Sequence, residues 1–164
     1  MRYSASVICR LSEAAWSDVP VAGDDGRAGS EPLTKRDFEA LARFRFGIRR
    51  YLRFSEETVR RHGVTPQQYQ LMLALKGFPG RDWAVVRELA DRLQLRHHSV
   101  VELINRAQHQ GLVRRTADPD DARAVRVVLT DEGEQLLGRL SALHRDELRR
   151  MDAALALPRW HTSE

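Results

Sequence analysis

The side chains with most chemistry to offer fall into two clusters. Residues 114–133 read RRTADPDDARAVRVVLTDEG, a polar tip of Asp118, Asp120, Asp121 and Arg123 set between two β-branched runs, with Arg126 in the second run. Upstream, residues 96–105 read RHHSVVELIN, placing Arg96, His97, His98, Ser99, Val101, Glu102 and Asn105 at the start and along one face of a helix. These residue types suit reading a polyanion rather than making or breaking bonds. Arginine pairs bidentately with phosphate or enters a narrow A·T-rich minor groove. Asparagine pairs with adenine, a carboxylate accepts from cytosine, and a valine methyl meets the thymine methyl. No glycine-rich phosphate loop, nucleophile elbow or HExxH pair is present, so the chain does not read as an enzyme. No cofactor is expected and no metal either. His97 and His98 are adjacent and diverge by about 100° on a helix, and the three aspartates lack the glycine and distal glutamate of a calcium loop.

The elements that must position these residues are legible from periodicity. Val100, Leu103, Ile104 and Ala107 follow the i, i+3, i+4, i+7 pattern of a buried stripe, which turns His98, Val101, Glu102 and Asn105 to the opposite face, with His97 at its edge. A short helix over WAVVRELADRLQL precedes it, beginning as a strand at Trp83–Val85 and separated by a break at QLR. Helix, tight break and helix ending at Gly111 match a helix-turn-helix. LVRRT and VRVVL then flank a turn and predict a two-stranded ribbon. Helix, helix, ribbon is the order of a winged helix. Further upstream, Thr65, Pro66 and Gln68 announce a helix with a capping box, with Val64 and Tyr69 as its hydrophobic staple. Thr34 and Asp37 open a longer helix reaching toward Arg61, about 40 Å at 1.5 Å per residue.

Composition sets the bounds. A chain of 164 residues with 42% hydrophobic content suits one modest core. The net charge is +4 and is carried almost wholly by arginine, Lys35 and Lys76 being the only lysines. Such a balance suits a polyanionic partner. Cys9 stands alone, which excludes an internal disulfide framework, and a reducing cytoplasm is the simplest compartment. No apolar run suggests a signal peptide or a membrane span. Residues 1–33 mix Gly, Pro, Asp and Ser without periodicity and read as a loose arm. Residues 34–157 read as one domain and 158–164 as a short tail.

At this point the sequence resembles a known family. DPDDARAVRVVLTDEG is similar to the wing signature of the MarR (multiple antibiotic resistance regulator) family, a D-x-x-D-x-R core followed by L-T-x-x-G. ELADRLQLRHHSVVELINRAQHQGLVRR resembles its helix-turn-helix, and GVTPQQYQLMLALKG completes an ordered likeness from Thr34 to about Leu157. The resemblance implies a mainly α fold with a small β-hairpin wing (α+β), a winged helix-turn-helix flanked by dimerisation helices. It implies that Asp121 and Arg123 pair to shape the wing tip and present the arginine to DNA, joined by Arg126. Asp120 departs from the pattern, where many members carry a basic residue, and Arg96 stands where a capping serine is usual. Some members sense peroxide through an N-terminal thiol; Cys9 lies in the loose arm, upstream of the first helix.

Three expectations follow. A homodimer is expected from Leu136, Leu140, Leu143, Leu148, Met151 and Leu155, spaced for a helix after Thr130 that Pro158 closes. A two-fold dimer would bind double-stranded DNA at an imperfect palindrome and act as a transcriptional regulator, most simply a repressor. The alternative is a winged helix used for protein association without DNA. By the resemblance, a small aromatic or anionic effector is held between the dimerisation helices and the DNA-binding lobe, by Tyr51, Phe54 and Tyr69 with Arg53 as anion partner. The alternative for these aromatics is ordinary core.

Overall fold

Three of the helices begin at a threonine whose side chain satisfies an orphan backbone donor of the first turn. The computed structural model describes residues 32–119, 124–151 and 155–158. Helix α1 spans Lys35–Arg61, and its Thr34 Oγ1 accepts from the Asp37 amide while Asp37 Oδ2 accepts from the Thr34 amide at 2.8 Å. Helix α2, Pro66–Lys76, repeats the device, with Thr65 Oγ1 accepting from the Gln68 amide and Gln68 Oε1 from the Thr65 amide at 2.9 Å. Both capping boxes match the sequence reading. Val64 and Tyr69, the expected staple, are buried together.

After α2 come strand β1, Trp83–Ala84, helix α3, Val86–Leu93, and helix α4, His97–His109. Gln94 takes the left-handed conformation at φ 53° and turns the chain between α3 and α4, where the break was expected. Gly111, at φ 70°, releases the chain from α4 into strand β2, Val113–Ala117, and strand β3, Val125–Leu129. The antiparallel sheet has the order β1-β3-β2, with Trp83 opposite Val128 and Arg115 opposite Val127. Helix α5, Asp131–Arg150, opens on Thr130, whose Oγ1 accepts from the Gly133 amide at 3.0 Å. Gly133 is packed so closely on the Leu112 backbone that an added Cβ would lie 3.0 Å from its carbonyl carbon and nearer still to its oxygen. The architecture is the expected winged helix. At the end of α5 the Met151 amide bonds back to both Glu147 and Leu148, and beyond residues 152–154, which lie outside the described residues, Leu155 is again helical, its amide bonded to the Met151 carbonyl three residues before Pro158.

The core gathers around α2. Leu71, Met72 and Leu75 from α2, Leu89 from α3, Val100, Leu103 and Ile104 from α4, and Val113 and Val127 from the ribbon are fully buried. The stripe inferred for α4 is therefore its buried face. The long helices behave otherwise. Phe38, Phe46 and Leu52 of α1 are about half exposed, and Leu143 and Leu148 of α5 are also open, while Leu140 and Met151 are buried within the chain. Among the described residues no helix is long and apolar enough to cross a membrane.

Candidate nucleic-acid interface

The buried stripe of α4 fixes which side chains face outward. His97, His98, Glu102 and Asn105 are exposed, and Ser99 and Val101 are half-buried. Arg96 is the N-cap residue and makes no side-chain capping bond, as its replacement of a capping serine implied. The first turn of α4 contains no acidic residue, and its free amides and positive dipole end face outward. Glu102 lies 3.9 Å from Arg106, one turn on. Asn105 is less free than its position suggested. Arg115, on β2, donates from Nη2 to Asn105 Oδ1 and from Nη1 to Gln108 Oε1, both at 2.7 Å.

The ribbon beside α4 is braced toward its turn end. Arg126, expected to reach DNA, has partners within the chain: Nε and Nη2 donate to the two carboxylate oxygens of Asp118 at 2.7 Å, and the guanidinium lies 3.8 Å over the Trp83 ring. With side-chain exposures of 17% for Arg126 and 10% for Asp118, the pair is a bracket across the two strands rather than a free cation. The stack continues. Arg81 lies over the other partners, 3.9 Å from Trp83 and 4.1 Å from Phe78, and pairs with Glu88, while Arg92 of α3 lies 3.8 Å over Phe78. Arginine and aromatic ring thus alternate from α3 to the wing. Burial lowers the affinity of Arg92 for its proton, with Glu88 opposing. Asp120, Asp121 and Arg123 lie outside the described residues.

A separate cleft of about 470 Å³ opens between α1, α2 and α5, lined by Tyr51, Tyr69, Leu73, His144, Arg145 and Arg149 among others. His144 is its hub. It is buried and stacks on Tyr69 at 4.5 Å between centroids, with Tyr51 and Phe54 meeting it edge-on. Its Nδ1 lies 2.6 Å from the Leu140 carbonyl, which can only accept, so Nδ1 carries the proton and Nε2 faces Ser55 Oγ at 2.8 Å. Burial pushes both tyrosine hydroxyls up from their ordinary value; Tyr69 adds to the shift at Tyr51, and a Ser141 hydrogen bond opposes it at Tyr69. Three of the four residues predicted here thus converge on one histidine. Arg53 does not: it is exposed and pairs with Glu57 at 2.8 Å, and the guanidinium groups at the cleft are those of Arg145 and Arg149. Sequence reasoning passed over Arg115, Trp83 and His144. The available signals were a lone histidine among leucines and a tryptophan opening a strand.

Helix-turn-helix followed directly by a braced ribbon defines a winged helix, the fold class of proteins that lay one helix in the DNA major groove. The comparisons narrow the class. A family model described as MarR family matches residues 62–124, from just after α1 to just before β3. The HTH-type transcriptional repressor MdtR of Bacillus subtilis is 31% identical over 94 residues, 54% of this chain and 59% of the relative. Matched segments span between 40% and 63% of the curated relatives first aligned with the chain. Among solved structures, AbsC, a MarR family transcriptional regulator from Streptomyces coelicolor, shares the fold at TM-score 0.62 and 23% identity over 79% of this chain and 86% of its own. A cysteine-to-serine mutant of MarR from Escherichia coli, complexed with operator DNA, does so at TM-score 0.58 and 19% identity over 68% and 79%. Over residues 62–124 the helix-turn-helix and the first strand of the ribbon are similar to those of the MarR family, and the fold as a whole is the winged helix of the solved structures. The chain's curated relatives are transcriptional regulators rather than enzymes.

Proposed function

We propose that the chain is a DNA-binding transcriptional regulator, most simply a repressor, that grips an imperfect palindrome as a homodimer. The observation that carries this reading is the division of α4: its apolar stripe is wholly buried, and the opposite face, from His97 to Asn105, projects polar side chains and unneutralised helix amides beside the ribbon. Phosphate would be met by those amides, by Arg96 and by the wing arginine Arg123, which Asp121 would hold in place. Base edges would be met by His97, His98, Val101, Glu102 and Asn105. Dimerisation is supported by the half-exposed Phe38, Phe46 and Leu52 of α1 with Leu143 and Leu148 of α5, an apolar surface that one copy leaves in water. Two-fold symmetry would set the recognition helices about one DNA turn, roughly 34 Å, apart.

The cleft around His144 is the proposed effector site. Tyr51, Phe54, Tyr69 and His144 supply aromatic faces, and Arg145 and Arg149 take the role of anion partner first given to Arg53. A ligand there releases DNA only to the extent that it binds the DNA-incompetent dimer more tightly. The test is a mobility-shift titration against the chain's own upstream region and an unrelated duplex at matched salt. Retardation of the first at far lower protein concentration is expected. Equal affinity for both, or none, overturns the reading and leaves a winged helix used for protein association.

A further inference from the structure

Arg115 shares a face of β2 with the buried Val113 and lays its guanidinium across the C-terminal half of α4, where Asn105, Gln108, His109 and Arg115 border an opening of about 250 Å³. A guanidinium only donates. It therefore faces the amide oxygens of Asn105 and Gln108, at 2.7 Å each, and the amide nitrogens of both residues are the ends turned away from it. We propose that Arg115 is a specificity-determining residue: by holding the Asn105 oxygen it makes Asn105 a donor-only reader that selects a keto base, guanine or thymine, over adenine or cytosine. This rests on the DNA-binding reading above and deepens it.

The chemistry follows from the major-groove edges. Asparagine reads adenine by accepting from the N6 amino group through Oδ1 while donating to N7 through Nδ2. Arg115 occupies one lone pair of Oδ1, and its positive charge opposes the approach of the N6 amino group, a second donor, to the other. Guanine offers O6 and N7, and thymine offers O4, all acceptors matched to an outward NH₂. Cytosine presents an N4 amino group and is opposed as adenine is. The nearby acceptor does not relieve this, because Glu102 is drawn toward Arg106. The corner formed by Asn105, Gln108 and Arg115 thus presents nitrogen donors toward the groove. The simple expectation of an asparagine–adenine pair is reversed.

The experiment is selection from randomised duplexes with the full chain, run on the wild type, Asn105→Ala, Arg115→Met and Arg115→Lys, with helical content and melting recorded for each. The position read by Asn105 is the one whose base preference disappears in Asn105→Ala. There the wild type is expected to favour guanine or thymine over adenine by about tenfold, within the range of a good base contact. Arg115→Met should lose that preference and gain adenine. Arg115→Lys keeps the charge but replaces the rigid planar fork that spans Asn105 and Gln108 with a single mobile ammonium, so it should keep most of the salt dependence and weaken the preference. Adenine at that position in the wild type overturns the inference. So does an unchanged preference in a folded Arg115→Met or Arg115→Lys, or the absence of any position that depends on Asn105. If the folded wild type enriches no sequence at all, the DNA-binding reading itself falls, a distinguishable result.

Discussion

Two glycines of α5, five residues apart, should respond to alanine in opposite directions. At Gly133 a Cβ would sit 3.0 Å from the Leu112 carbonyl carbon and closer to its oxygen. Carbon atoms prefer about 3.5–4.0 Å, so the first turn of α5 must back away by about 0.5–1 Å. The backbone it presses on cannot swing aside, because the Leu112 oxygen also accepts from the Thr130 amide at 3.1 Å and Thr130 Oγ1 caps Gly133 itself. Overpacking costs about 1–3 kcal/mol, and a weakened cap adds about 1 kcal/mol. The higher helix propensity of alanine returns up to about 1 kcal/mol, leaving a net loss of about 1–3 kcal/mol. For a chain of this size that lowers the melting temperature by roughly 2–12 °C. Gly138 meets nothing within 4 Å, so alanine there should stabilise by about 0.4–1 kcal/mol and raise melting by roughly 1–4 °C. The assay is thermal unfolding followed by circular dichroism at equal protein concentration, since dimerisation makes melting concentration-dependent. A Gly133→Ala variant melting at or above the wild type would refute the reasoning about this joint.

Sedimentation at micromolar concentration should give a dimer, and Phe46→Glu with Leu143→Glu should give a monomer with helical content retained; a wild-type monomer contradicts the dimer. The tyrosine hydroxyls of Tyr51 and Tyr69 titrate above their ordinary 10.0 in the folded chain. Their contribution to stability is therefore complete below the unfolded value and is lost as pH rises through the folded ones. Melting should fall more steeply above about pH 10 in the wild type than in Tyr51→Phe, Tyr69→Phe, and parallel curves would count against the shifts. Asp118→Asn should cost about 1–3 kcal/mol in thermal unfolding by weakening the bracket to Arg126, and no measurable cost would mean the bracket is idle. Arg123→Ala should weaken binding to most duplexes alike and reduce the salt slope by about one; an altered major-groove preference at unchanged slope contradicts its place on the wing.

Local grammar was readable and distant pairing was not. The caps at Thr34 and Thr65 each involve a partner three residues away, so spacing alone revealed them. The α4 stripe was readable for the same reason, one helix meeting one core. Arg53 was misplaced although Glu57, at i+4, was the local signal for a surface ion pair. The brackets that define the site join residues across the fold: Ser55 and His144 are 89 apart in sequence, and Arg126 meets Trp83 only because β1 pairs with β3. The leucines of α5 mixed two destinations in one period, Leu140 and Met151 facing inward and Leu143 and Leu148 outward, a division no spacing rule separates.

The alternating stack from Arg92 through Phe78, Arg81 and Trp83 to Arg126 has a mechanical meaning. It ties the first helix of the helix-turn-helix to the turn end of the wing strands through stacked planar groups. In the proposed dimer each lobe would then keep its wing and recognition helix at one angle, as each jaw of a pair of calipers is rigid, and an effector would adjust only the gap between the two.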